Sequence, residues 1–296
     1  GCESDGITPC TPKCIPSYYV TDWQQFSRLP YTDPILIKQK LVQYGPLYTQ
    51  MDPTISGFSS YSGGNVLTGT STNVNDWTHA VLLVGWDDQS GTNGAWIVKN
   101  SYGTDRGEEG YFYIAYNNAG FGSFLATITD WKITSTSTNL HYYDEAGHTM
   151  QLATDDWFNG TAMALFNLKQ GEFPQAVEFW TNDTATVDLK IYENFNGINP
   201  ENQLYEMLDV EFPYSGYHQL KINYQLDLDE GNEIAIVLDI TNKSQFFPIA
   251  VDHQSPITGD KTWYLDVNQQ WQSLSNFQNK QYDAGIRLRT FTPASV

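Results

Sequence analysis

The chain has 296 residues, enough for two domains that each bury a core. Its formal net charge is -19, from 34 Asp and Glu against 15 Lys and Arg; such a surface repels phosphate backbones and anionic headgroups, which excludes nucleic acid as a partner. Hydrophobic residues make up 40% and charged residues 17%, a globular rather than a disordered composition.

Residues 1–30 are irregular in pattern and carry all three cysteines, Cys2, Cys10 and Cys14. An odd, clustered count predicts one local disulfide and one bond to something upstream, hence an oxidising compartment. Cys10-Thr-Pro-Lys-Cys14 has no second Cys/His pair, so zinc is not expected, and neither a metal nor another cofactor is predicted. The chain opens on Gly1 rather than Met and shows no signal peptide, so it reads as a processed or truncated piece. No apolar run approaches the ~18–20 residues that span a bilayer, so no transmembrane segment is predicted.

A helix follows. Asp33 suits an N-cap, Pro34 the first helical position, and Ile37, Leu41 and Tyr44 recur at helical spacing. Gly45-Pro46 stops it. From Leu47 the pattern is β, with Gly- and Ser-rich loops around 57–73. Ala80–Trp86 is a continuous apolar run, as expected of a strand buried on both faces. Segments 94–99 and 111–116 read as further strands. The first module ends near Trp131, and Ile133–Asn139 reads as a polar linker. Beyond it, period-2 alternation takes over. Val187, Leu189 and Ile191 share one face, as do Ile234, Ile236, Leu238 and Ile240, and later Ile286 and Leu288. Many short alternating segments with turns between them predict an antiparallel sandwich. Asn159, Asn182 and Asn242 fit the glycosylation pattern.

The chemistry lies in segment 75–111. His79 stands just before the apolar run and Asn100 just after the next strand. Held at a sheet edge, an imidazole can give one ring N–H to an amide oxygen, which fixes its tautomer. The other nitrogen is then free to take a proton from a thiol. Either residue alone is more often structural.

The sequence around both residues resembles the papain family of cysteine peptidases. That family follows its His with an apolar strand ending in Gly-Trp or Gly-Tyr, as in Gly85-Trp86 here. Around its Asn it has Asn-Ser-Trp-Gly-x-x-Trp-Gly-x-x-Gly-Tyr. This chain has Asn100-Ser101-Tyr102-Gly103, then Gly107, then Gly110-Tyr111, in the same register. The helix ending in Gly45-Pro46 also fits. The resemblance implies an α+β fold, the right-hand, β-barrel-like subdomain of a papain-like peptidase, over residues 1–132. It implies that His79 is the catalytic base, that Asn100 orients it, and that Tyr102 replaces the Trp that shields the His–Asn bond. Arg106 stands where a second Trp is usual. The family's nucleophile lies ~130 residues before its His, on a helix N-terminus that favours the thiolate. Only 78 residues precede His79, and Cys2, Cys10 and Cys14 lack the local sequence. The nucleophile and the N-terminal catalytic subdomain that carries it are therefore expected upstream, and this chain alone is expected to be inactive.

Residues 140–296 resemble the lectin-like sandwich attached to some bacterial and archaeal members. The resemblance rests on His141-Tyr-Tyr-Asp144, Pro174-Gln-Ala-Val-Glu-Phe179, Val187-Asp-Leu-Lys-Ile-Tyr192, Trp263-Tyr264 and Gly285-Ile-Arg-Leu-Arg289. It implies binding of a glycan or cell-wall polymer, for which Trp157, Trp180, Trp263 and Trp271 are candidate platforms. Asp155-Asp156 could touch calcium, but no loop has regular ligand spacing. The leading reading is an extracellular or cell-surface cysteine endopeptidase acting on peptide or protein substrates. Its rivals are a non-catalytic surface adhesin built on a dead peptidase and a carbohydrate-binding protein.

Overall fold

The computed structural model describes residues 17–27, 33–71, 73–153, 157–226, 228 and 233–293. Cys2, Cys10 and Cys14 lie outside the described residues, as do Asp155 and Asp156. The chain divides into two units. One holds Trp23–Thr129 with Tyr214–Gly216; the other holds residues through Asp22, Asp130–Pro213 and the stretch from Tyr217 on.

Strand β1 (Tyr18–Ser27) has residues in both units, and helix α1 (Pro34–Tyr44) follows in the first. The Asp33 carboxylate accepts from the Ile35 N–H at 2.9 Å. Gly45, at φ 81°, returns its N–H to Leu41 O at 2.9 Å. Each end is thus closed by the residue type its backbone needs; a cap of the Asp33 kind contributes about 1 kcal/mol. Then come β2 (Leu47–Met51), β3 (Val66–Leu67), β4 (His79–Asp87), β5 (Ala95–Lys99), β6 (Tyr111–Ala115) and β7 (Phe124–Ile133). Within this unit they are ordered β3-β6-β5-β4-β2-β7. All these pairs except the parallel β3–β6 are antiparallel, and β4–β5 and β5–β6 are joined directly by a single loop each. Ile37 and Leu41 of the helix join Leu47, Met51, Leu83, Trp96, Val98 and Ile114 in one core.

Strand β4 departs from the reading of a strand buried on both faces. It buries Val81 and Leu83, exposes Ala80 and leaves Leu82 and Val84 half-buried. An antiparallel sheet with one face on the core turns alternate residues outward, whatever their polarity.

The second unit is built of β8 (Thr138–His141), β9 (Met150–Leu152), β10 (Asn159–Asn167), β11 (Phe173–Thr181), β12 (Ala185–Phe195), β13 (Pro200–Phe212), β14 (Ser215–Lys221, of which the part from Tyr217 on belongs here), β15 (Glu233–Asn242), β16 (Ile249–Asp252), β17 (Thr262–Leu265), β18 (Trp271–Ser273), β19 (Asp283–Ala284) and β20 (Ile286–Phe291). One sheet runs β13-β12-β15-β10-β17-β18, a second run is β14-β11-β20-β8, and β19-β16-β9 form a short third. The two larger sets share a core. Val177, Phe179 and Leu288 meet Val187, Leu189, Ile191, Ile236 and Leu238 there, as their alternation predicts.

Two buried ion pairs tie this unit together. Arg289 Nε lies 2.5 Å from the Glu178 carboxylate, which also accepts from Tyr217 and Gln219. Arg287 Nε lies 3.0 Å from Asp144, whose side chain is wholly buried. Burial lifts the Asp144 carboxyl to about 6 despite the guanidinium beside it. Through these contacts the His141-Tyr-Tyr-Asp144 and Gly285-Ile-Arg-Leu-Arg289 segments prove to be partners: β8 and β20 pair with His141 opposite Leu288.

Candidate active site

His79 opens β4 and sits opposite Met51 of β2 in the antiparallel register. Met51 is completely buried, so the start of β4 is anchored to the core while the half-buried imidazole reaches its rim. Asn100 follows β5, the neighbour of β4 on its other side. Its N–H donates to Gly110 O at 2.9 Å, closing the 100–110 loop at its base. The dyad is thus carried by adjacent strands of one sheet.

His79 Nε2 lies 2.9 Å from Asn100 Oδ1. The same oxygen accepts the Ser101 N–H at 2.9 Å, and a backbone N–H is an obligatory donor. The amide therefore presents its oxygen, and Nε2 is the ring nitrogen that carries the proton. Nδ1 is left as the atom that can exchange a proton with a reacting group. The Tyr102 hydroxyl lies 3.5 Å from Nδ1, with its ring centroid 5.0 Å from the imidazole. Phe58 packs on the imidazole from 5.3 Å and is itself buried. Phe58 lies inside the Gly- and Ser-rich stretch that reads as plain loop; Phe58 and Tyr61, the two aromatics of that stretch, are the signal in the sequence for a packing role there.

A cavity of about 480 Å³ adjoins the dyad, with Asn100, Tyr102 and Arg106 on its border and Phe58, Tyr61 and Phe112 among its walls. The Tyr61 hydroxyl donates to the Glu108 carboxylate at 2.8 Å. Burial and that carboxylate push the Tyr61 phenol up to about 12, so it stays a neutral donor.

No cysteine occurs among the described residues, and among them no three His, Cys, Asp or Glu side chains converge to hold a metal ion. Among them, too, no helix is long and apolar enough to cross a membrane. The four tryptophan candidates of the second unit separate clearly. Trp180 is 9% exposed, wedged between Arg287 at 4.5 Å and Tyr217 at 4.7 Å, so it is a packing residue and not a platform. Trp263 and Trp271 are half-buried and pack on a small cluster around Met163 and Val237. Trp157 is 59% exposed and stands with the exposed Phe246 and Phe247 at centroid distances of 5.2 and 5.5 Å.

Comparison with known proteins finds matches for both parts of the chain. Residues 4–128 match the papain family cysteine protease, and residues 140–290 the lectin-like domain. The chain joins a papain-family cysteine protease domain to a lectin-like domain. Within the protease-like part, cathepsin K of Gallus gallus is 36% identical over 92 residues, which are 31% of this chain and 27% of that protein. A cysteine protease of Blomia tropicalis is 32% identical over 114 residues, 38% of this chain and 33% of that protein. The chain thus spans about a quarter to a third of the length of these curated relatives. A solved structure of the cysteine protease and lectin-like domains of Cwp84, a surface layer associated protein of Clostridium difficile, superposes with a TM-score of 0.72 at 21% identity. That match covers 97% of this chain and 67% of the other, and it shows a shared fold.

Proposed function

We propose that this chain supplies the proton-handling half of a papain-like cysteine endopeptidase and that a segment upstream of it contributes the nucleophilic cysteine. The observation that carries the reading is the 2.9 Å bond from His79 Nε2 to Asn100 Oδ1, which leaves Nδ1 available. In the completed site His79 Nδ1 takes the proton of the cysteine thiol, and the thiolate attacks the carbonyl carbon of the scissile peptide. As the C–N bond breaks, His79 Nδ1 gives its proton to the leaving amine, and an acyl-enzyme thioester remains. A water molecule then attacks the thioester, giving its proton to Nδ1, and the thiolate departs with the dyad restored. Asn100 holds the imidazole in the tautomer and orientation these transfers need. Tyr102 flanks the ring and shields part of the His–Asn bond.

The second domain, 140–296, is a β-sandwich that docks the peptidase on a glycan or cell-wall polymer at the cell surface or outside the cell. The lectin-like match and the exposed aromatic group around Trp157 support this reading, as does the surface-layer association stated for Cwp84. A proteolytically silent adhesin is the rival; Tyr102 and Arg106, which stand in place of two tryptophans, favour it. The residue at the upstream nucleophile position separates the two. The experiment is turnover of a peptide by the intact protein, including the upstream segment, and by its His79→Ala variant. Loss of turnover in the variant is expected, and unchanged turnover would sink the assignment.

A further inference from the structure

Among the described residues, Arg106 is the only charged side chain bordering the cavity beside Asn100. It is exposed, and its guanidinium has no hydrogen bond or ion pair among the described residues. Among the described arginines, Arg287 and Arg289 are each paired with a buried carboxylate, whereas Arg106 is paired with none. The nearby carboxylate of Glu108 is already occupied by the Tyr61 hydroxyl at 2.8 Å and the Gly64 N–H at 3.0 Å. Asp105 and Glu109 flank the same turn and point no oxygen within ion-pair distance of Arg106.

The backbone that carries Arg106 is fixed. Arg106 O accepts the Gly110 N–H at 2.8 Å, and Glu108 N–H donates to Tyr111 O at 2.8 Å. Gly107 has φ 65°, and a Cβ there would lie 2.3 Å from Tyr111 O, so the turn requires glycine. The loop that presents Asn100 at its base therefore also fixes the backbone from which Arg106 projects beside the cavity. The aromatic walls formed by Phe58, Tyr61 and Phe112 lower the local dielectric and strengthen the pull of that charge on a ligand.

We propose that this cavity selects peptide substrates with an acidic side chain close to the scissile bond, and that Arg106 is the residue that recognises it. The assignment rests on the peptidase reading above and names its substrate class. An arginine suits the task because its planar fork meets a carboxylate with two parallel hydrogen bonds.

The test uses amidated peptides, which remove the terminal carboxylate, with Asp, Asn or Lys scanned across the positions flanking the cleaved bond. Turnover is measured with the intact protein and its Arg106→Gln and Arg106→Glu variants. The wild type is expected to favour Asp over Asn by roughly fivefold in kcat/KM at one position, the scale of a partly screened ion pair. The preference should vanish in Arg106→Gln and turn toward Lys in Arg106→Glu. Equal turnover of Asp and Asn peptides by the wild type, or a preference that survives in Arg106→Gln, overturns the proposal. If no peptide is cleaved at all, the peptidase reading fails, and fluorescence anisotropy of the same labelled peptides on the 296-residue chain still decides. Acid-selective binding lost in Arg106→Gln supports the role of Arg106; binding without that selectivity, or no binding, overturns it.

Discussion

Asp283 offers a test of the second unit that needs no upstream partner. It is completely buried in β19, opposite the equally buried Asp252 of β16. Burial raises its carboxyl. The Thr258 N–H and the Thr262 hydroxyl, each at 3.2 Å, offset part of this, and the Asp252 charge adds to it. The outcome is a pKa of about 6 against an ordinary 3.8. The folded state therefore holds this proton more tightly than the unfolded state does. The stabilising contribution is complete below about pH 4 and is lost as pH rises through about 6. At ~1.4 kcal/mol for each pKa unit, ionisation of Asp283 costs the fold up to about 3 kcal/mol. Asp252 behaves oppositely: burial opposes its ionisation, but bonds from Ser255, Gln254 and Ala146 outweigh it and hold the carboxyl below the usual range. In Asp283→Asn a neutral amide of the same shape faces that permanent charge. The variant should be more stable than the wild type by about 1–3 kcal/mol at about pH 8 and equal to it at about pH 4. Urea unfolding followed by tryptophan fluorescence across that range measures the difference. A variant that is less stable at high pH, or one whose advantage does not change with pH, would show that Asp283 is not held protonated by burial.

Asn100→Ala should lower kcat of the intact peptidase by roughly tenfold to a hundredfold with a smaller change in KM, because the main loss is the orienting acceptor of the imidazole; steady-state kinetics on one good peptide checks this. Trp157→Ala should shift stability by less than about 0.5 kcal/mol, since the ring is mostly in solvent, yet weaken sedimentation with isolated cell-wall polymer. Retained co-sedimentation would move the docking surface away from the Trp157 group.

Local signals carried the reading where a single segment decides its own structure. Asp33-Pro34 and Gly45-Pro46 bracket the helix because cap and stop chemistry is local. Alternation over 187–191 and 234–240 marks the core face for the same reason. What escaped depends on residues distant in sequence. The half-open outer face of β4 follows from what covers the sheet, which the apolar run 80–86 does not encode. Trp180 reads as a possible platform because nothing near it announces Arg287, more than 100 residues on, which fills the space against its ring. The His79–Asn100 pair lay between these cases: the residue types and spacing suggested it, while the 2.9 Å contact required the β4–β5 register. Arg106 was visible as a departure from the family pattern, but its lack of an ion-pair partner was not.

His79 and Asn100 are brought together by one antiparallel strand pair, anchored on the side of β4 away from Asn100 by Met51 of β2. The proposed acid–base pair is set by main-chain register, and its His79–Asn100 contact takes nothing from the group that would carry out the attack. A docking nucleophile-bearing segment would meet an imidazole already aimed, so its affinity need not be spent on ordering the site. The same independence has a consequence over evolutionary time. Replacing the cysteine would silence proteolysis without loosening this sheet, and a lineage could abandon the reaction while keeping the scaffold intact.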